Sequence, residues 1–131
     1  MRSLATRFIP VALLAVLVST QVLAQQKELK IGVIYDYTGP FADGGSAPAA
    51  IGTKAAIDLV NEKGGIEGYK IKAIYADAQS KGEVAISETE RLINQEKVDL
   101  TLGVFSSAHC VPMEAKADAA KKFMWATVCV A

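Results

Sequence analysis

From Leu29 onward, short apolar runs alternate with longer stretches in which apolar residues recur every three or four positions. Leu29-Lys30-Ile31-Gly32-Val33-Ile34-Tyr35 reads as a buried strand. The loop Tyr35–Gly45 follows, and then a helix to about Lys63, with Ser46 as its N-cap and Pro48 in its first turn. Ile51, Ala55 and Leu59 lie at four-residue spacing, with Gly52, Ala56 and Val60 beside them. Lys54, Asp58, Asn61 and Glu62 take the other side, so this spacing predicts that the Ile51 face packs inward. Gly64-Gly65 ends the helix. Tyr69–Tyr75 alternates lysines with Ile71 and Ala73, which suits an edge strand. Ser80 is expected to cap a second helix running to about Glu96, with Ala85, Thr89, Leu92 and Ile93 inward. Val98–Phe105 is a third, central strand, Ala108–Lys122 a third helix and Phe123–Val130 a fourth strand.

Strands alternating with helices of this length imply α/β architecture: an open parallel sheet with helices on both faces and right-handed crossovers. The expected strand order is 2-1-3-4. Because the sequence stops at or just after a buried strand, it reads as the N-terminal fragment of something longer.

The first 24 residues read differently. Arg2 and Arg7 precede the almost wholly apolar run Ile9–Val18, and Val22-Leu23-Ala24 offers small or apolar residues where a signal peptidase cuts. This is a secretory leader with cleavage expected after Ala24, its apolar run shorter than the roughly 20 residues of a spanning helix. Export would place the protein in the periplasm. Without Arg2 and Arg7 the remaining residues carry 12 bases against 14 acids, with no basic patch for nucleic acid. Function must then come from local geometry. Export also changes the reading of Cys110 and Cys129, which either stay buried thiols or pair. A bridge would close a loop of about 20 residues and add roughly 3 kcal/mol.

In an open parallel sheet, ligands bind at the carboxyl ends of the strands where the order reverses. Strand order 2-1-3-4 brings two connections together there: Tyr35–Gly45 and Ser106-Ser107-Ala108-His109. Serines at a helix start offer hydroxyls and free backbone N–H groups, which favour a carboxylate or other anion. The rings of Tyr35, Tyr37 and Phe41 offer apolar area nearby. The candidate ligand-binding set is therefore Ser106, Ser107, Ala108, Tyr35, Tyr37 and Phe41. Asp36 and Asp43 are read as loop caps or wet carboxylates. No metal site or cofactor is expected, since one His and two distant Cys lack ligand spacing. His109 and Cys110 are sequence neighbours and so are poorly placed to act as base and nucleophile on each other.

Four stretches carry a family resemblance. Lys30-Ile31-Gly32-Val33-Ile34, Thr38-Gly39-Pro40-Phe41-Ala42, Asn61-Glu62-Lys63-Gly64-Gly65-Ile66-Glu67-Gly68 and Asp77-Ala78-Gln79-Ser80 resemble, in order, the start of a periplasmic branched-chain amino acid receptor. These are the type I solute-binding proteins of ABC importers. The resemblance implies that residues 25–131 form part of the N-terminal lobe, Rossmann- or flavodoxin-like, of a two-lobed clamshell. It implies capture of a small solute by lobe closure, delivery to an ABC permease in the membrane, no catalysis and a monomer when complete. The family's carboxylate-binding serine falls on Ser107, with Ser106 and Ala108 beside it. Further contacts are implied at or beyond Ala131 and from the second lobe. Where some members place a Trp over the ligand, this chain has Gly44. Relatives of the fold take amides, urea or aromatic acids as well.

Two other classes are compatible with an exported α/β sheet. An exported hydrolase or thiol oxidoreductase would need a G-x-S-x-G elbow or a C-x-x-C pair, and the sequence has neither. A ligand-sensing ectodomain of a membrane receptor would use the same fold. Residues 25–131 alone are expected to be poorly stable, because the last strand leaves an apolar edge exposed.

Overall fold

The computed structural model describes residues 27–130. The leader expected over Met1–Ala24 lies outside the described residues. Four strands and three helices alternate: β1 (Lys27–Tyr35), α1 (Ala47–Glu62), β2 (Tyr69–Asp77), α2 (Gly82–Asn94), β3 (Leu100–Gly103), α3 (Ser107–Ala119) and β4 (Phe123–Ala126). All strands are parallel and their order is β2-β1-β3-β4. β1 pairs with β2 from Lys27↔Tyr69 to Tyr35↔Asp77, and with β3 from Ile31↔Leu100 to Ile34↔Gly103. β2 is an edge strand and β3 is central, as the pattern predicts.

The core lies on both faces of the sheet. Ile31, Val33 and Tyr35 of β1 meet Ala50 and Ile57 of α1 on one face. Ile34 and Ala76 meet Ala85, Leu92 and Ile93 of α2 and Cys110, Met113 and Ala117 of α3 on the other. One helix on one face and two on the other is the distribution that right-handed crossovers give for this strand order. Among the described residues no helix is long and apolar enough to cross a membrane.

α1 is rotated from the expected face. Ile51 and Leu59 are exposed, whereas Ala50 and Ile57 are buried. Two polar residues on the Ala50–Ile57 line account for the rotation. Thr53 hydrogen-bonds the Tyr35 hydroxyl across 2.9 Å. Asn61, expected on the wet side, grips the β2 backbone: its Nδ2 donates to the Ile71 carbonyl and its Oδ1 accepts from the Ile71 N–H. A side-chain amide matched to both backbone groups of one strand residue fixes helix rotation more narrowly than apolar area does.

Element ends also shift. β3 stops at Gly103, two residues short of Phe105, because Gly103 (φ 125°) and Val104 (φ 65°) turn the chain out of the pleat. A Cβ on Gly103 would collide with the Ile34 carbonyl, so only glycine fits. With β3 ended, β4 loses its ladder partner and ends at Ala126, not Val130. Ser80 does not cap α2. It has φ 55°, and its hydroxyl accepts the Phe41 N–H and donates to the Thr38 carbonyl. Ser46 precedes α1, but its hydroxyl accepts the Asp36 N–H across 2.7 Å instead of capping the helix.

Candidate functional site

The loop after β1 is tied to the end of β2 and the turn that follows it. Asp77, at the end of β2, accepts the N–H groups of Tyr37, Thr38 and Gln79 and the Thr38 hydroxyl. Burial pushes its carboxyl up, but these four hydrogen bonds outweigh it and hold the carboxyl below its ordinary value. Asp36 is buried and accepts the Ser80 N–H across 2.8 Å, which makes it a loop cap as expected, while Asp43 is exposed. The loop closes through a π-helical turn, Ala42–Ser46, in which Gly45 has φ 143°. A Cβ there would lie 2.6 Å from the Phe105 ring, so glycine lets the loop settle on the β3–α3 corner.

The candidate site residues divide into two groups. Phe41 crosses to α3 and packs on His109 with ring centroids 5.8 Å apart. His109 itself is buried, and its Nδ1 has no hydrogen-bond partner among the described residues. Ser106, Ser107 and Ala108 form the start of α3 below this contact. Tyr37 is turned elsewhere: with Ala50, Ile51, Lys54 and Tyr75 it lines an apolar cavity of about 380 Å³ on the β2 side of the loop. Burial first, then the neighbouring Tyr75, Tyr35 and Asp77, push its phenol up to about 12. The hydroxyl thus stays protonated and able to donate.

Tyr35 lies under the site and not in it. Its side chain is 1% exposed. Its hydroxyl bridges Thr53 and Thr127, and Thr127 in turn donates to the carbonyls of Gly103 and Val104. No surface is left for a ligand, because the phenol completes a chain of hydrogen bonds from α1 to the end of β3.

The chemistry of the corner resides in the start of α3. Ser106 has extended backbone (φ −84°, ψ 123°), but its hydroxyl makes no capping bond. The first-turn N–H groups of a helix lack intrahelical partners and carry the positive end of the helix dipole. At Ser107 and Ala108 they remain available to an anion, with the Ser106 and Ser107 hydroxyls beside them. The exposures agree: Ser106 and Ser107 are half-buried and Ala108 is exposed.

The family resemblance implies later contacts at or beyond Ala131, and the early end of β4 leaves an irregular segment before that point. Thr127–Val130 runs beside the corner, with the Thr127 N–H on the Gly103 carbonyl and the Val130 N–H on the Ser107 hydroxyl at 3.0 Å. Cys129 in this segment is joined to Cys110 of α3 by a disulfide, with the Cα atoms 6.2 Å apart. Nothing in the residue pattern announces that β3 turns away at Val104, so the apolar pattern alone predicts strand through Val130.

Known proteins share this fold. A family model described as "Periplasmic binding protein" matches residues 28–129. "Leu/Ile/Val-binding protein homolog 7" of Brucella suis biovar 1 is 38% identical over 84 residues, covering 64% of this chain and 21% of the relative. An "Amino acid binding protein" of Pseudomonas aeruginosa is 35% identical over 94 residues, covering 72% of this chain and 24% of the relative. Among solved structures, the branched-chain amino acid transporter substrate-binding protein LivJ of Streptococcus pneumoniae, in complex with isoleucine, superposes with a TM-score of 0.77 at 28% identity. That match covers 80% of this chain and 30% of the other. A solute-binding protein of an R. palustris ABC transporter, in complex with 4-hydroxybenzoate, gives 0.66 at 25% identity, covering 79% of this chain and 28% of the other. The chain thus spans about a quarter of the length of the relatives it matches. A model match across nearly all the described residues, joined to the sheet order, shows that the chain belongs to the periplasmic binding protein family.

Proposed function

We propose that this chain is part of an extracytoplasmic solute receptor that captures a small carboxylate-bearing solute and delivers it to an ABC permease. The solute class is a branched-chain amino acid or a related amide or aromatic acid. The observation that carries the reading is the uncapped start of α3, whose Ser106 hydroxyl leaves the first-turn N–H groups free beneath the Phe41 loop. Ser107 and Ala108 would meet the carboxylate, and Phe41 would shield it from one side. Binding needs no covalent step, and closure of a second lobe would supply the remaining contacts. Neighbours in complex with isoleucine and with 4-hydroxybenzoate support a carboxylate-bearing solute, since that group is common to both ligands. Cleavage after Ala24 and residence in the periplasm complete the proposal.

Calorimetric titration of the exported protein with isoleucine and with 4-hydroxybenzoate tests it, alongside Ser107→Ala. One of the two should bind, and the variant should bind it at least tenfold more weakly, since a hydrogen bond to a charged group contributes about 1.5–3 kcal/mol. Equal affinity in the variant would remove Ser107 from the site.

A further inference from the structure

The Ser107 hydroxyl has an acceptor and a donor side, and the structure gives the acceptor side its partner. Its oxygen accepts the Val130 N–H at 3.0 Å. A hydroxyl has a single proton to donate and two lone pairs. With one lone pair held by Val130, the proton is free to turn away from the protein toward the crevice.

Val130 has no regular structure to hold it there. β4 ends four residues earlier, and the Val130 side chain is 82% exposed. Two anchors fix the segment. The first is Thr127, whose N–H and hydroxyl both donate to the Gly103 carbonyl. The second is the disulfide between Cys129 and Cys110. Cys110 is 3% exposed and lies three residues after Ser107, so both side chains lie on one side of α3. Cys129 immediately precedes Val130. The covalent bond therefore ties the residue next to the donor to the helix turn that carries the acceptor.

We propose that the Cys110–Cys129 disulfide is a positioning element of the binding site: it holds the Val130 N–H on Ser107 and so orients the Ser107 hydroxyl as a donor to a carboxylate. The orientation of the donor rests on the functional reading above, whereas the tethering of Val130 does not. Thr127 alone leaves two rotatable residues before Val130, and an exposed backbone hydrogen bond at such a distance from its anchor frays. The disulfide removes that freedom.

Residue-resolved amide hydrogen exchange on the complete chain, oxidised and after treatment with a water-soluble phosphine, is the test. The phosphine breaks the S–S bond and gives up two electrons. Water supplies two protons to the thiols and one oxygen to the phosphine oxide. Exchange at the Val130 amide should rise at least fivefold on reduction, while the Thr127, Met113 and Ala117 amides keep their protection. Ser107→Ala, with its disulfide intact, should release Val130 to a similar degree. Unchanged Val130 exchange in the reduced protein or in Ser107→Ala overturns the proposal. Should reduction strip protection from all of α3, Cys129→Ser decides: raised Val130 exchange with Met113 and Ala117 still protected supports the tether, and unchanged Val130 exchange overturns it. A parallel titration with acetate separates the two claims. The amides of Ser107 and Ala108 should respond in the oxidised protein with an affinity at least fivefold higher than after reduction. No response in the oxidised protein would overturn the carboxylate reading, and the Val130 exchange would still decide the tether.

Discussion

At the residue scale, the loop after β1 depends on charge more than on apolar contact. Asp77 accepts four hydrogen bonds, three from the loop itself and one from its own turn. Its carboxyl is held below the usual value of about 3.9, so the ionised form is favoured by folding. A depressed folded value stabilises above the unfolded value and loses that stabilisation as pH falls through the folded one. Stability should therefore fall as pH drops below about 4, and Asp77→Asn should flatten that part of the curve. Urea unfolding between pH 2 and 6 checks this, and equal slopes for the two proteins would count against it. The role of Asp77 was not legible in its sequence context. It sits in a turn motif, and only the pairing Tyr35↔Asp77 reveals that it faces the neighbouring strand's loop. Ser107 was legible, because a serine at a helix start carries a physical reason of its own.

At the element scale, strand and helix types follow from apolar periodicity, whereas their rotations and ends follow from single polar or glycine positions. α1 shows this most clearly. The Ile51-Ala55-Leu59 stripe is as regular as any inward face, but Asn61 and Thr53 turn the helix so that Ile51 is 70% exposed. Asn61→Leu should cost about 2 kcal/mol, from two lost backbone hydrogen bonds and an unpaired Ile71 on an edge strand. Denaturant unfolding measures it, and a change below about 0.5 kcal/mol would place the cause of the rotation elsewhere. The end of β3 depends likewise on Gly103, a residue whose conformation no apolar pattern records. α2 was readable in full on its buried side, since Ala85, Thr89, Leu92 and Ile93 all lie inward and no polar anchor competes.

At the scale of the whole molecule, the sheet is covered unevenly. α2 and α3 share one face, and α1 covers only the β1 and β2 side of the other. On β4, Phe123 and Trp125 are 65% and 60% exposed, with half-buried Leu100 and Leu102 beside them on β3. An apolar edge strand of this kind invites pairing with other chains. The isolated chain should show concentration-dependent sedimentation, reduced by Trp125→Lys. Sedimentation of the unaltered chain as one species across a hundredfold range of concentration would contradict this.

If the site works as proposed, a carboxylate seats at the start of α3 beneath the Phe41 loop. Mapping the backbone amide shifts of the chain during titration with isoleucine and with 4-hydroxybenzoate tests it most directly. We expect one of them to move the Ser107 and Ala108 amides first and furthest, with His109 following through its contact with Phe41. Shifts centred instead on Tyr37, Tyr75 and Lys54, with the α3 amides still, would place the ligand in the β2-side cavity and contradict the claim.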